Sequence, residues 1–241
     1  MQSKLFDIRS KIGIYLLPNI LTTLTLFSGF YSIIHAINHH LNGAIYGIIA
    51  ALFFDGIDGR VARLTNTQSE FGKCYDSLAD LIAFGLAPPL AIYLFILSQS
   101  ITYGTAVSFC FLAATALRLA RFSIQDDQTK DHFIGLPCPA AAGVLTSYLW
   151  LFNDYDSVGT MTAVCFVVMV LMLSGLMVSS ILYPSYKMGG FTQAHSMLVA
   201  IVIILITISL FINPPLVISA QLTFYTVFYL IKYCLRKKGG S

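Results

Sequence analysis

Apolar runs long enough to cross a bilayer recur along almost the whole chain. A transmembrane helix needs roughly 20 consecutive apolar residues. Of the 241 residues, 57% are hydrophobic and 10% are charged, whereas soluble domains carry about 25% charged residues. We therefore predict an all-α polytopic membrane protein of about eight transmembrane helices, forming one membrane domain over 1–241. The predicted spans are 14–36, 41–63, 76–98, 101–121, 135–153, 158–181, 192–212 and 214–235.

Basic residues give this predicted bundle an orientation. All 14 Lys and Arg residues fall on one side of this arrangement: before the first span, at or beyond the end of the last one, or at the second, fourth and sixth connections and the span ends that adjoin them. Cytoplasmic loops carry an excess of these residues, so both termini are predicted to be cytoplasmic. Residues 1–13 mix basic and apolar side chains and are predicted to form a juxtamembrane segment. The net charge of +3 indicates contact with anionic lipid rather than nucleic acid.

Four carboxylates lie in or beside apolar segments. An ionisable group at membrane depth indicates a functional site, because it is expensive there unless it is paired. Offsets of three and four place each group of acids on one helix face, and a helical hairpin over 41–98 would turn the two faces toward each other. Thr67-x-x-Glu70 is predicted to cap the second helix of this hairpin. The stretches read Asp55-Gly-Ile-Asp58-Gly59-Arg-Val-Ala62-Arg63 and Gly72-x-x-x-Asp76-x-x-x-Asp80.

A carboxylate-only site suits hard divalent cations such as Mg²⁺ or Mn²⁺. Four carboxylates could hold two such ions about 3.5–4 Å apart, an arrangement that clamps phosphates during displacement. The alternatives are a salt-bridge cluster for packing and a cation or proton relay in a transporter. The acids outnumber the nearby bases, and no second copy of the hairpin is found, whereas transporters often show repeated halves. The pattern therefore favours metal-dependent phosphate chemistry in a pocket open to the cytoplasm.

The pattern Asp-x-x-Asp-Gly-x-x-Ala-Arg-x8-Gly-x3-Asp-x3-Asp resembles the signature of the CDP-alcohol phosphatidyltransferases, and positions 55–80 fit it without departure. The resemblance extends over roughly 15–145, and the last third matches only in being hydrophobic. Ser123 departs from this resemblance, because Asn is expected at that position, after Arg121 and Phe122. Five further stretches are similar to the phosphatidylserine synthase branch of the family. They are Pro18-Asn19-Ile-Leu-Thr, Ser69-Glu-Phe-Gly, Tyr75-Asp-Ser-Leu-Ala-Asp, Phe84-Gly-Leu-Ala-Pro88 and Gly135-Leu-Pro-x-Pro-Ala-Ala-Ala142.

The resemblance implies transfer of the phosphatidyl group of CDP-diacylglycerol to the hydroxyl of L-serine, with release of CMP. It implies two divalent cations, Mg²⁺ or Mn²⁺, on the four acids, with Asp80 also acting as general base. It further implies a homodimer in the bacterial inner membrane, in contact with membrane lipid. The implied metal ligands are Asp55, Asp58, Asp76 and Asp80, and the implied CDP-diacylglycerol contacts are Gly59, Ala62, Arg63 and Gly72.

Arg118 and Arg121 share a face at the cytoplasmic end of the fourth predicted span. They serve either orientation in the membrane or the binding of an anion. An arginine fork suits the serine carboxylate, so we predict that they bind serine or phosphate. Pro88 and Pro89 are predicted to break the third span, either as a packing kink or as the edge of a lipid-accessible groove.

Two other functions remain open at this stage. Another phosphatidyltransferase, with glycerol phosphate, inositol phosphate or an archaeal lipid as substrate, would keep the same hairpin. A cation-coupled transporter is less favoured, and it would show no metal-dependent release of CMP.

Overall fold

A computed structural model describes the backbone over 2–65, 67, 69–98, 101–124, 132–152, 159–179, 182–184 and 213–238. Two short strands, which were not predicted, pair antiparallel: β1 (His132–Ile134) and β2 (Leu182–Pro184). The other elements of the described chain are helices. They are α1 (Gln2–Ile37), α2 (Leu41–Leu64), α3 (Glu70–Leu97), α4 (Ile101–Ile124), α5 (Cys138–Leu151), α6 (Thr160–Val178) and α7 (Pro214–Lys238).

Five helices in the described part of the chain are long and apolar enough to cross a membrane. This confirms the prediction of a helical multi-pass membrane protein. Helix α5 is apolar but shorter, and α7 covers the predicted eighth span without being one of the five. The predicted span 192–212 lies outside the described residues, so the count of eight stays a prediction. The five segments are Leu17–Ile37, Leu41–Leu64, Glu70–Leu97, Thr102–Ile124 and Thr160–Val178.

Helix α1 packs closely against α2 and α3 because small residues line the contacts. A Cβ atom on Gly47 would lie 2.7 Å from Ser32 Cβ, and one on Gly29 would lie 2.6 Å from Ala83 Cα. Ser32 Oγ donates to the Ala44 carbonyl at 2.8 Å. Such close approach is typical of helices that associate in membranes. Along this face α1 carries a row of buried hydroxyls, here called the hydroxyl stripe: Thr22, Thr25, Ser28 and Ser32.

Helix α3 begins with a side-chain cap that differs from the predicted one. Ser69 is the N-cap, and its Oγ accepts a hydrogen bond from the Gly72 amide at 3.0 Å. Thr67 Oγ1 instead lies 2.7 Å from Thr65 Oγ1. The capping prediction at Thr67 is therefore wrong. An N-cap side chain accepts from the amide two or three residues later, and with the helix beginning at Glu70 that geometry belongs to Ser69.

The two prolines of α3 are buried and do not end the helix. The chain is π-helical over Leu81–Leu86 and again over Tyr93–Leu97. Pro88 and Pro89 stand in the first turn of the α-helical stretch between these segments, where a missing N–H group is tolerated. A change in hydrogen-bond register accommodates them, and a packing kink or a groove edge at this point stays a prediction.

The residues that lead into α5 are hydrogen-bonded to the end of α6. The Leu136 amide donates to the Leu176 carbonyl at 3.1 Å, beside the β1–β2 pair. Gly135 has a φ of +80°, and a Cβ atom there would collide with the Met177 carbonyl. Only glycine fits this position without strain. This hydrogen bonding fixes Cys138, the first residue of α5, beside the end of α4 that carries the two predicted anion-binding arginines.

Candidate metal centre and adjoining cavity

The hairpin of α2 and α3 brings three of the four predicted acids together. Asp55 comes from α2, and Asp76 and Asp80 come from α3. One carboxylate oxygen from each lies within 4.8 Å of the other two. Asp80 is only 8% exposed, and the other two are partly buried. We call these three residues the carboxylate cluster, and they agree with the expectation that the two acidic faces turn toward each other.

The fourth acid, Asp58, lies near the carboxylate cluster but is not part of it. Its side chain is buried, with 5% exposure. Thr22 on α1 donates from Oγ1 to Asp58 Oδ2 at 3.0 Å. Three of the four acids therefore form the cluster, and the fourth is hydrogen-bonded to Thr22, which lies outside the acidic motif.

Two buried oxygens of the carboxylate cluster, Asp76 Oδ1 and Asp80 Oδ1, have no hydrogen-bond partner among the residues that the structure describes. Leaving a buried acceptor unsatisfied costs about 1–3 kcal/mol, and more for a charged group. Neighbouring carboxylates also repel one another unless a cation lies between them. Carboxylate oxygens are the ligands that hard divalent cations prefer. The cluster therefore fits a divalent metal ion.

A cavity of about 330 Å³ lies beside the cluster. Helices α1, α2 and α3 form most of its wall, and the end of α4 closes one side. Because Asp58 and Asp76 belong to this wall, a ligand in the cavity would meet the acids directly. The lining residues are Pro18, Asn19, Thr22, Asp58, Gly59, Ala62, Arg63, Thr67, Ser69, Gly72, Lys73, Asp76 and Phe122.

All four residues predicted to contact the nucleotide part line this cavity. Around Gly59 the space is open, since a Cβ atom there would meet nothing within 4 Å. A Cβ atom on Gly72 would lie 3.1 Å from Ser69 Oγ, a tight contact with the capping hydroxyl, and 3.5 Å from Asn19 Oδ1 on α1, an ordinary contact. Arg63 is exposed, and its Nε donates to the Gly59 carbonyl at 2.8 Å. The guanidinium is thereby folded back along the cavity wall.

Arg118 and Arg121 do not line the cavity, and their surroundings differ. Arg118 is half-buried, and its Nη1 donates to Cys138 Sγ at 2.9 Å. Its Nε is buried and has no partner within the described part of the chain. The Cys138 thiol lies within electrostatic range of both the Arg118 guanidinium and the Asp80 carboxylate. Arg121 is exposed, and its Nη1 donates to the Val178 carbonyl at 3.4 Å.

Several residues at this site were not predicted as site residues. Asn19 and Thr22 come from α1, Ser69 caps α3, and Phe122 comes from the end of α4. The signal in α1 was a group of polar side chains beside Pro18, at one end of an otherwise apolar run. No spacing rule connects that group to a motif more than 30 residues later, so only the fold brings them together.

Comparison with known proteins identifies the family of this chain. The family model described as CDP-alcohol phosphatidyltransferase matches residues 15–173. A CDP-diacylglycerol–serine O-phosphatidyltransferase of Helicobacter pylori is 38% identical over 221 residues, which are 91% of this chain and 92% of that protein. The expected similarity over 15–145 was therefore too short.

Two further relatives carry related names. A CDP-diacylglycerol–serine O-phosphatidyltransferase of Mycobacterium bovis is 36% identical over 164 residues, covering 66% of this chain and 57% of that protein. An archaetidylserine synthase of Methanothermobacter thermautotrophicus is 35% identical over 183 residues, covering 74% of this chain and 73% of that protein. All three names include serine, whereas the lipid differs.

Proposed function

This chain belongs to the CDP-alcohol phosphatidyltransferase family, and we propose that it transfers the phosphatidyl group of CDP-diacylglycerol to the hydroxyl of L-serine. The products are phosphatidylserine and CMP. The observation that carries this function is the similarity to a serine phosphatidyltransferase, which extends over 91% of the chain. A carboxylate cluster beside a cavity is the geometry that such a phosphate displacement needs.

The carboxylate cluster and Asp58 would together hold two divalent cations, Mg²⁺ or Mn²⁺. The unpartnered buried oxygens of Asp76 and Asp80 support this assignment, as does the all-oxygen donor set. When bound, the cations would neutralise the diphosphate of CDP-diacylglycerol and stabilise the departing CMP.

The cavity would hold the cytidine diphosphate part of the donor. Open space at Gly59 and the small side chain of Ala62 leave room for it, and Gly72 adds no side chain to the same wall. Arg63 brings a positive charge to the same wall. An arginine suits phosphate oxygens because its planar fork of donors matches their geometry.

Asp80 would act as general base on the serine hydroxyl. The hydroxyl oxygen attacks the phosphorus atom that carries the diacylglycerol, and its proton passes to the Asp80 carboxylate. The bond from that phosphorus to the bridging oxygen of the diphosphate breaks, and CMP leaves with the electron pair. Positioned general bases typically contribute about 10²–10⁴-fold to rate.

Serine needs a cation for its carboxylate, and Arg118 and Arg121 are the candidates. Arg118 is the stronger one, because its buried Nε lacks a partner within the described residues and because Cys138 lies near both it and Asp80. A serine bound there would present its hydroxyl toward the carboxylate cluster. Arg121, bonded to the Val178 carbonyl, would serve the attachment of α4 to α6 or contact phosphate from the rim.

The active site and both termini would face the cytoplasm of a bacterial inner membrane, with eight spans, surrounding lipid and a homodimeric assembly. The one-sided distribution of Lys and Arg supports this orientation, and Arg63 and Lys73 line the same cavity as the acids. Single cysteines at positions 155 and 237 can be labelled from each side in a cysteine-free background. We expect position 237 to be cytoplasmic and position 155 to be outside, and labelling of both from one side would contradict the arrangement.

The acceptor is tested by supplying the purified protein with CDP-diacylglycerol and one alcohol at a time. Serine, glycerol 3-phosphate and inositol 1-phosphate form the panel, and mass spectrometry identifies the lipid product. We expect phosphatidylserine and CMP in equal amounts with serine, and no product with the two phosphates. A product from glycerol 3-phosphate or inositol phosphate in preference to serine would overturn the assignment of the acceptor.

A further inference from the structure

The hydroxyl stripe of α1 contains one member that differs from the others. Thr25 donates to the Leu21 carbonyl and Ser28 to the Leu24 carbonyl, which are bonds within the same helix. The hydroxyl of Ser32 reaches a backbone carbonyl of α2. Thr22 Oγ1 also lies 3.1 Å from a carbonyl of its own helix, that of Pro18, but it is the one hydroxyl of this stripe that reaches a carboxylate as well, at 3.0 Å from Asp58 Oδ2. The stripe therefore serves helix packing over most of its length and contacts the site at one end.

Thr22 and Asp58 are both buried. Thr22 is 4% exposed and Asp58 is 5% exposed, and both side chains line the cavity. Their low exposure keeps most of the surrounding water away from the hydrogen bond that joins them. A hydrogen bond to a charged group in such a place is stronger than one on the surface. Asp58 is also near other carboxylates, whose repulsion would turn it away if nothing held it.

We propose that Thr22 is a positioning residue that holds the Asp58 carboxylate in the orientation in which it completes the metal site. This inference rests on the metal-binding role assigned above to the four acids. A hydrogen bond from α1 to one oxygen of Asp58 restricts rotation of the carboxylate and joins a third helix to the α2–α3 hairpin. Partners that orient a metal ligand in this way typically affect metal affinity by roughly 10- to 100-fold.

The chain offers a matched control for this role. Thr25 lies one turn further along the same stripe and is fully buried, but it donates only to a backbone carbonyl. Thr22→Val and Thr25→Val both exchange a hydroxyl for a methyl group at nearly constant volume. They therefore share any cost to packing and differ in the loss of the bond to Asp58. Thr22→Ser retains the hydroxyl and is the rescue variant.

The test measures Mn²⁺ binding to the purified full chain by electron paramagnetic resonance of the free ion, without CDP-diacylglycerol or serine. Thr22→Val is expected to raise the Mn²⁺ dissociation constant roughly 10- to 100-fold. Thr25→Val and Thr22→Ser are expected to stay within about threefold of the wild type, since both retain the partner of Asp58. Thermal unfolding of each variant shows whether the fold is kept. If Thr22→Val does not fold, Thr22→Cys takes its place, because a thiol is small and a weak donor.

Equal Mn²⁺ affinity in Thr22→Val and the wild type, or equal losses in both valine variants, would overturn the positioning role. Failure of the proposed serine reaction can be told apart from failure of the positioning role, because the binding assay contains neither CDP-diacylglycerol nor serine. A wild type that binds Mn²⁺ but makes no phosphatidylserine would remove the proposed acceptor and leave Thr22 in its role. A wild type without Mn²⁺ binding would overturn both this inference and the proposed metal site.

Discussion

Buried polar side chains are used differently in the two halves of the molecule. In the half formed by α1, α2 and α3, Thr25 and Ser28 bond within α1, but other buried polar groups cross between helices, as Thr22 does to Asp58. Some remain unpartnered within the described residues, as Asp80 Oδ1 does. In the half formed by α5 and α6, the buried hydroxyls return to carbonyls of their own helix. These bonds run from Thr146 to Ala142, from Ser147 to Val144 and from Ser174 to Val170.

This difference separates packing from function in a membrane protein. A hydroxyl bonded within its own helix is satisfied without any neighbour, so it is compatible with an apolar environment. A buried polar group that depends on another helix, or that lacks a partner, retains a free-energy cost of desolvation unless a ligand binds to it. The half with such groups is the one that contains the carboxylate cluster and the cavity. Substitutions of such buried polar residues should therefore lower the reaction rate in the first half, and those of buried hydroxyls should leave it nearly unchanged in the second.

The largest difference between the halves is expected for the carboxylate cluster. Asp80→Asn removes the proposed base and a metal ligand while keeping the side-chain size, so phosphatidylserine formation should fall by about 10²–10⁴-fold or more. Thr146→Val and Ser174→Ala are the matched changes in the other half and should leave the rate within about twofold, because each hydroxyl is bonded only within its helix. Radiolabelled serine incorporated into lipid measures all three.

A comparable loss of rate in Thr146→Val or Ser174→Ala would show that the second half is not limited to packing. Full activity of Asp80→Asn would remove that acid from the reaction. The membrane-inserted amount of each variant is measured alongside, so that lost protein is not mistaken for lost catalysis.

A smaller effect is expected where the two halves meet, at Arg118. Arg118→Gln should raise the KM for serine roughly 10- to 150-fold, since a hydrogen bond to a charged group is lost. The analogue serinol has the hydroxyl but no carboxylate, and its KM should change little. Arg121→Gln is the matched control, with a backbone carbonyl as its partner. If the KM values for serine and serinol change alike, Arg118 does not recognise the carboxylate.

The smallest effect is expected from filling the cavity at Gly59. Because a Cβ atom there meets nothing within 4 Å, Gly59→Leu should leave thermal stability nearly unchanged. It should raise the KM for CDP-diacylglycerol by roughly 10-fold, by occupying space needed for the nucleotide. Gly47→Leu is the contrast, since its side chain would collide with Ser32 on α1 and lower stability. The account of the cavity would be contradicted if Gly59→Leu destabilised the protein without affecting the KM.

The acidic hairpin could be predicted from the sequence because helical periodicity alone assigns residues to faces. Offsets of three and four placed Asp76 and Asp80 on one side of α3, and a short connection allowed only an antiparallel return toward Asp55. The family motif then suggested the chemistry. These arguments are local, which is why they held.

Contacts between distant segments could not be predicted in this way. Thr22 lies 36 residues before Asp58, and nothing in the spacing links them. The cap at Ser69 was missed because two hydroxyl residues compete near the start of α3, and only the helix boundary decides between them. The π-helical segments on either side of the α3 prolines could not be predicted either. The sequence shows a breaker there but not the register of the hydrogen bonds around it.

Metal dependence of CMP release tests most directly the claim that the carboxylate cluster is the centre of phosphatidyl transfer. CMP is measured with CDP-diacylglycerol and serine present, first after treatment with a chelator and then after Mn²⁺ or Mg²⁺ is added back. We predict that the chelator abolishes release and that the added ion restores it in the wild type but not in Asp76→Asn. Undiminished release in the chelator, or restoration in Asp76→Asn equal to the wild type, would contradict the central claim.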